Sequence, residues 1–421
     1  MKRSIFGRQK QMRLLPLAGI VLAGGLLAAG QMTPAAQANN ACLACHKEEA
    51  VLSTSSHKSL TCLECHSISP ADGTPERPHQ KDVPPVDCTR SCHRPQAGQT
   101  AGAGPSAYAD SVHGRAYLER GSPDVAKCWD CHGKHNILPA KDPASTVNRR
   151  NIPLICSTCH ADMAVVVKYH IHAESPYQEY LKSAHGRALY RQGLLDVAAV
   201  CTDCHGAHDI QGAGTPHLKA KDPATCGHCH VLVFDEYKES IHGRAALAGN
   251  VDAPVCVDCH GEHSVTSPLD PSAPTAKTHV PDTCSACHAR PEIMSKYGIP
   301  ADRIRTFIAS LHGIAVGLGD KAAASCTSCH GVHDILPASD PASRVSPRNL
   351  VKTCGQTDCH PGMTQKITSA RIHLDTGRRA SGAPYYVQKI LLWAIVLAAA
   401  VTGLWFFFAL KKRLTGKKTD S

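Results

Sequence analysis

Every one of the 22 cysteines in this 421-residue chain belongs to a pair that closes on Cys-His. Nine pairs read Cys-x-x-Cys-His: Cys42/Cys45, Cys62/Cys65, Cys128/Cys131, Cys156/Cys159, Cys201/Cys204, Cys226/Cys229, Cys256/Cys259, Cys284/Cys287 and Cys326/Cys329. Two are wider: Cys88/Cys92 has three residues between, and Cys354/Cys359 has four. The histidines that follow the pairs are His46, His66, His93, His132, His160, His205, His230, His260, His288, His330 and His360. Eleven anchor points of one kind, spread from end to end, leave little room for an ordinary fold.

Three familiar uses of paired cysteines fit poorly. A disulfide framework has no need of a histidine after every second cysteine. Zinc sites gather four ligands from paired motifs and would not put Cys-His at every pair. A thioredoxin-type pair occurs once, in an α/β setting. Cys-x-x-Cys-His is the attachment signature of c-type haem. The chain therefore reads as a carrier of eleven covalently attached haem c groups. The cysteines would form the thioethers, and the eleven histidines would be proximal iron ligands.

Composition agrees. Only six Phe and three Trp occur. Phe406, Phe407, Phe408, Trp393 and Trp405 fall in one C-terminal apolar run and Phe6 near the N-terminus, which leaves Phe234, Phe307 and Trp129. A domain of this size normally buries far more aromatic surface. Porphyrins wrapped by short segments would supply the missing core.

Lys2, Arg3, Arg8, Lys10 and Arg13 precede an apolar run from Leu14 to about Gly30, and Ala36-Gln37-Ala38 offers a cleavage site. Residues 1–38 thus read as a signal peptide, with an uncleaved N-terminal anchor as the alternative. Ile390 to Leu410 is 21 residues without a charge, long enough to span a bilayer. The basic residues Lys411, Lys412, Arg413, Lys417 and Lys418 follow it and mark the cytoplasmic side. The leader carries +5 and the tail a net +4 of the formal +10, so the part between is near neutral. No nucleic-acid footprint is expected.

The middle of the chain repeats. Ser-x-His-Gly occurs at Ser111–Gly114, Ser183–Gly186, Ser240–Gly243 and Ser310–Gly313. Each copy leads to a Cys-x-x-Cys-His-Gly-x-His block: CWDCHGKH, CTDCHGAH, CVDCHGEH and CTSCHGVH. Asp-Pro loops follow (KDPAS, KDPAT, LDPSA, SDPAS), and a second motif closes each unit. A fixed period of this kind signals a stacked array. The expected plan is an N-terminal three-haem region at 39–110, four two-haem units over 111–386, a transmembrane helix at 387–410 and a basic tail at 411–421. The fold class is mainly α with extensive irregular loops, and little or no sheet.

The repeated histidines have a use. The proximal histidine fills one face of the iron, and another side chain must fill the other. His263 stands three residues after His260, and residues three apart on a helical turn share a face. It must therefore serve a different haem, and so must His135, His208 and His333. Between successive motifs, or after the last, stand His57, His79, His113, His135, His185, His208, His242, His263, His312, His333 and His373: eleven candidates for eleven irons. His170 and His172 are alternatives for His57, His79 or His373. Met163, Met294 and Met363 follow proximal histidines too closely to cross to the far face, so packing is their expected role.

The pattern Ser-x-His-Gly, Cys-x-x-Cys-His-Gly-x-His, Cys-x-x-Cys-His resembles the exported multihaem c-type cytochromes of respiratory bacteria, in particular membrane-anchored ones. The resemblance covers roughly His57 to Leu410. It implies low-potential bis-histidine haems that carry electrons between a quinone-linked membrane partner, such as a b-type cytochrome, and periplasmic carriers or reductases. It implies the periplasmic face of the cytoplasmic membrane, a cytoplasmic C-terminal tail, and no enzymatic step. Electrons would enter near the span at His360 and leave at the far end, at His46. The small quinol-oxidising tetrahaem relatives have an N-terminal anchor, whereas this anchor is C-terminal. The competing reading is a reductase of nitrite, hydroxylamine or a sulfur oxyanion, which needs one haem with an open face; none of the motifs ends in the lysine that marks such a haem in multihaem nitrite reductases.

Overall fold

The computed structural model describes residues 34–67, 84–89, 91–93, 104–171, 175–212, 216–365, 373 and 382–415. The expected leader lies outside these residues as far as position 33, as do His79, His172, Lys417 and Lys418. Among the described residues there are helices, 3-10 turns and irregular loops, and no strand. The chain divides into two compact units, Met1–Val86 and Asp87–Ser421.

In the first unit, helix Pro34–Leu43 carries Cys42, and the short helix Cys62–Cys65 carries the second motif. Asn39, 6% exposed, ties them together. Its amide donates to Leu60 O (3.1 Å) and its Oδ1 accepts from Cys62 N (2.8 Å).

The second unit is built from four similar segments. Each opens with a helical piece: Pro105–Asp110, Pro176–Lys182, Val231–Glu239 or Arg303–Ile308. A serine then starts a second helix: Val112–Leu118, Ala184–Tyr190, Ile241–Leu247 or Leu311–Gly317. The hydroxyls of Ser111, Ser183, Ser240 and Ser310 accept from the backbone N–H of Gly114, Gly186, Gly243 and Gly313. They also donate to the carbonyls of Tyr108, Tyr180, Tyr237 and Phe307, which locks the two helices into a sharp corner. Ser-x-His-Gly is thus an N-cap motif. Its glycine is dictated by that corner: a Cβ on Gly243 would lie 1.9 Å from Tyr237 O.

The first-motif helices are one turn long: Cys128–His132, Cys201–His205, Cys256–His260 and Cys326–His330. The residue before the second cysteine caps each from within. Asp130, Asp203, Asp258 and Ser328 accept from the backbone N–H of Lys127, Val200, Val255 and Ser325. Each helix ends at its histidine, because Gly133, Gly206, Gly261 and Gly331 take φ of 80–90° with extended ψ, a region almost reserved for glycine. The Cys-His-Gly-x-His block is therefore not one helical turn, as its spacing suggests, but a helix end followed by a reversal.

Three Asp-Pro segments behave as expected. From Asp142, Asp270 and Asp340 the chain descends through successive turns, with Ser145, Ala273 and Ser343 almost wholly buried, to the second-motif helix. KDPAT differs: Asp222 and Pro223 lie inside helix Pro216–Gly227. Asp222 stands four residues before its motif, where Ile152, Val280 and Leu350 stand in the other segments.

The apolar core is thin. Ile152, Tyr180, Leu189, Ala198 and Val200 form a buried cluster, and Ser111, Ser183, Ser240, Ser325 and Ser343 are among the most deeply buried side chains. Met294 is buried in a packing role, while Met163 is exposed. Successive segments are joined by polar contacts instead. Arg149 makes paired bonds to Asp203 (2.7 and 3.1 Å) and donates to the carbonyls of Leu195 and Ala198. Lys219 pairs with Asp258 at 3.2 Å.

Helix Ala383–Thr415 has 33 residues, about 50 Å at 1.5 Å per residue. Its Ala383–Arg413 stretch is long and apolar enough to cross a membrane, and its apolar window is wholly unburied in the protein. It is compatible with membrane anchoring.

Candidate metal centres between paired histidines

The structure brings sixteen of the sequence-predicted histidines together as eight pairs. Four pairs join the Ser-x-His-Gly histidine of a segment to the second-motif histidine of the same segment. They are His113–His160, His185–His230, His242–His288 and His312–His360, with ring centres 5.9–6.3 Å apart. The other four reach forward along the chain. His132 faces His208, His205 faces His263, His260 faces His333 and His330 faces His373, again at 5.9–6.3 Å. A metal–imidazole bond of about 2 Å plus about 1 Å from nitrogen to ring centre, taken twice, gives about 6 Å. Each pair thus has the dimensions of one metal ion held between two imidazoles.

The two kinds of pair differ in orientation. Within segments the ring planes are inclined at 51–65°. Between segments they are nearly parallel at 7°, 19° and 16°, with the last pair, His330–His373, at 42°.

The forward pairs have a backbone cause. The first N–H of a helix lacks a partner inside it. Val112 N, Ala184 N and Ile241 N donate instead to the carbonyls of Ile210, Val265 and Ile335, each two residues beyond the forward histidine. One segment's corner so receives the next segment's Gly-x-His reversal, at 2.7–2.8 Å.

Burial lowers the pKa of His113, His132, His160, His185, His205, His260, His288, His330 and His373, and that of His242 to about 4. Neighbouring imidazoles push most of them the same way. The neutral ring so favoured is the form that binds a metal.

The cysteines line up with the histidines, and none is in a disulfide. Thiols of successive motifs touch: Cys88 with Cys128, Cys156 with Cys201, Cys226 with Cys256, and Cys284 with Cys326. Within segments Cys131 neighbours Cys156 and Cys159, Cys204 neighbours Cys226, Cys259 neighbours Cys287, and Cys329 neighbours Cys354 and Cys359. From Cys88 to Cys354 the motifs follow one another in space as in sequence. In the first unit Cys42 touches Cys62 in the same way. Asp222 Oδ1 lies 3.8 Å from Cys226 Sγ, and with Cys256 the three ligand atoms are close enough to hold a metal ion. Burial raises the Asp222 carboxyl pKa.

The eleven motifs are not equivalent, as a shared signature suggests. The first cysteine of every pair is half-buried, but the second cysteines divide. Cys131, Cys159, Cys259, Cys287 and Cys329 are half-buried, while Cys45, Cys65, Cys92, Cys204, Cys229 and Cys359 are exposed. The local backbone accounts for the contrast at four of them. Cys159 stands within the nine-residue helix Ile152–His160, about one turn after Cys156. Cys45 lies beyond the end of helix Pro34–Leu43, its N–H bonded back to Cys42 O at 3.2 Å. Cys92 belongs to the separate 3-10 turn Ser91–His93, because the wider gap carries it away from Cys88. In the widest motif helix Leu350–Cys354 stops at its first cysteine, and Cys359 follows in a turn closed by its N–H on Gln356 O at 2.9 Å. His360 N still returns to Cys354 O (3.2 Å), so the extra residues bulge outward between the two cysteines.

His46, His57, His66, His93 and His135 are among the described residues and make further contacts of their own. His279 is accounted for by a bond between its Nδ1 and Ala273 O at 3.0 Å. Reading for histidines and cysteines misses a set of tyrosines three residues before the capping serine. Tyr108 donates to Ala126 O (2.8 Å), Tyr180 to Ala199 O (2.8 Å) and Tyr237 to Pro254 O (2.7 Å). Burial raises all three phenol pKa values, that of Tyr108 to about 12, so they remain donors. It also misses Glu179 and Glu236, each directly before such a tyrosine, which face forward histidines. The repeat itself carries the signal, since Tyr-x-x-Ser-x-His-Gly recurs in three of the four copies.

Compared with family models, with curated proteins and with solved structures, the chain gives no match.

Proposed function

We propose that this chain is a membrane-anchored multihaem c-type cytochrome, an electron carrier with eleven covalently bound haems and no substrate site of its own. The observation that carries the reading is the set of eight histidine pairs. Each matches the histidine of a cysteine motif with a second one from elsewhere, at the spacing of a single metal between two imidazoles. Bound haem would supply a one-electron Fe(III)/Fe(II) couple.

The chain's own residues do the rest. The cysteines would fix each group by two bonds. The serine corners and glycine reversals hold the second imidazole of seven pairs, and contacts with Thr306 and Arg303 hold His373 in the eighth, so at each pair the chain would supply two histidines to a bound iron. A reductase of nitrite, hydroxylamine or a sulfur oxyanion needs an open face, and eight doubly served sites favour a carrier. Touching thiols from one motif to the next support a single-file path through the second unit.

His360 belongs to the motif nearest in sequence to helix Ala383–Thr415. Electrons would be exchanged there with a quinone-linked membrane partner such as a b-type cytochrome, and at the other end of the array with periplasmic carriers or reductases. The protein would sit on the periplasmic face of the bacterial cytoplasmic membrane, with Lys411, Lys412 and Arg413 on the cytoplasmic side.

The deciding experiment is low-temperature EPR of the fully oxidised protein, with haem quantified in the same sample. Eleven haems, all low-spin, are expected. A stoichiometric high-spin ferric signal would replace the carrier by the reductase reading, and a haem-free protein would sink both.

A further inference from the structure

One position of the repeat lies beside the forward histidines and changes from copy to copy. It stands four residues before the capping serine and holds Ala107, Glu179, Glu236 and Thr306 in chain order. His263 Nδ1 lies 3.8 Å from Glu179 Oε2, and His333 Nδ1 lies 3.9 Å from Glu236 Oε2. His373 Nδ1 lies 3.2 Å from Thr306 Oγ1 and 3.1 Å from Arg303 O. His208 Nδ1 is buried and has no hydrogen-bond partner; the residue at the repeated position in that copy, Ala107, carries no acceptor.

A metal-bound imidazole is tuned through its second nitrogen. A carboxylate there raises the basicity of the ligand, and a neutral acceptor does so less. A more basic ligand and a nearby negative charge both stabilise Fe(III) over Fe(II), which lowers the reduction potential. With no partner on the second nitrogen, neither effect operates.

We infer that this single repeated position sets the relative potentials of the four sites formed between segments. The inference rests on the haem reading above. The sites of His205–His263 and His260–His333 are the lowest, that of His330–His373 is intermediate, and that of His132–His208 is the highest. The two middle sites are then the last of the four to be reduced. Both glutamates are partly exposed, with Glu179 at 47% and Glu236 at 61% of the side chain. Salt therefore screens their effect, and Glu179 exerts the larger one.

The test is an EPR-monitored potentiometric titration of the full-length, haem-loaded protein and its E179Q, E236Q and A107E variants. Each glutamine variant is expected to raise the midpoint of one haem, and A107E to lower the midpoint of one. Haem content and low-spin state should stay unchanged throughout. A merely structural role would not move a single midpoint while leaving the spin state intact. Ala107 is buried, so if A107E does not assemble the two glutamine variants decide. Unchanged midpoints in loaded E179Q and E236Q would overturn the inference and leave the electron-carrier reading standing. A wild-type protein without haem would overturn that reading first.

Discussion

The imidazole of His205 stacks on that of His263, 5.9 Å centre to centre and 19° from parallel. His263 nevertheless sits three residues beyond the histidine of the next motif, His260, whose own ring stacks on His333. The reversals at His208, His263 and His333 therefore each serve the segment behind them. This gives a sharp mutational expectation. On the proposed haem reading, H263A should leave the haem at Cys201/Cys204 without its second ligand and high-spin, while the haem at Cys256/Cys259, beside the mutation in sequence, stays low-spin. EPR of H263A should show one high-spin equivalent. Removing Cys201 and Cys204 in the same background should abolish it. A high-spin signal that survives the second change would refute the pairing.

Much of this is legible in the chain. Complete pairing of the cysteines, the period of Ser-x-His-Gly and the charge-free run Ile390–Leu410 need only local reading. Spacing alone picks out the histidines of all eight pairs. Which ring meets which is not legible. That depends on the N–H of Ala184 finding the carbonyl of Val265, and sequence spacing is silent about which corner receives which reversal. The helical picture of Cys-His-Gly-x-His fails because a glycine at φ near 80° redirects the chain after the motif's own histidine. The depth of a cysteine is not legible either: Cys159 and Cys45 share one signature, yet only Cys159 lies within a packed helix. KDPAT resembles its sister loops in sequence, but its short distance to Cys226 draws it into a helix.

The acid response of the polypeptide can be predicted from groups remote from the paired rings. Asp252 accepts from Lys296 Nζ (2.8 Å) and from Tyr297 Oη (2.9 Å), and Asp124 is placed alike with Lys168 and Tyr169. The lysine bond lowers both carboxyl pKa values below the usual 3.8. A depressed folded-state pKa means the unfolded chain takes up the proton first. The contribution is thus present in full at neutral pH and is lost as pH falls through the carboxylate range. Urea midpoints measured at falling pH should decline less steeply in D252N than in wild type. Equal slopes would assign the loss to other groups. The clusters are exposed, so the difference should be small.

The corner at Ser240 separates a packing effect from a capping effect. S240A removes the acceptor for Gly243 N and should cost about 1 kcal/mol. G243A should cost more, about 1–3 kcal/mol, since its Cβ would meet Tyr237 O at 1.9 Å and the two helices must part. His242 rides on the same turn, so G243A should also loosen the ligand opposite His288 and give partial high-spin character. Chemical unfolding and EPR on the same samples check both. G243A as stable and as low-spin as wild type would mean the corner opens freely.

The ring planes predict an alternation along the array. An axial imidazole donates from its π system into the iron d orbital that its plane selects. Parallel rings load one orbital and split the pair widely, whereas strongly inclined rings share the load and leave the orbitals close in energy. Near-degeneracy produces large g anisotropy in low-spin Fe(III), and wide splitting produces a rhombic spectrum. In chain order from His160–His113 the inclinations are 51–65° within segments, against 7°, 19° and 16° between the first four segments. On the proposed haem reading, two low-spin populations should therefore coexist, one rhombic and one strongly anisotropic. Wide splitting also stabilises the ferric hole, so the anisotropic class should be reduced first in a titration. Every second site along the file then fills before its neighbours, which keeps added electrons apart. Deleting the anchors Cys201 and Cys204 should remove intensity from the rhombic population alone, and deleting Cys226 and Cys229 from the anisotropic one alone. Loss from the same population in both variants would show that the imidazole planes do not alternate in the loaded protein.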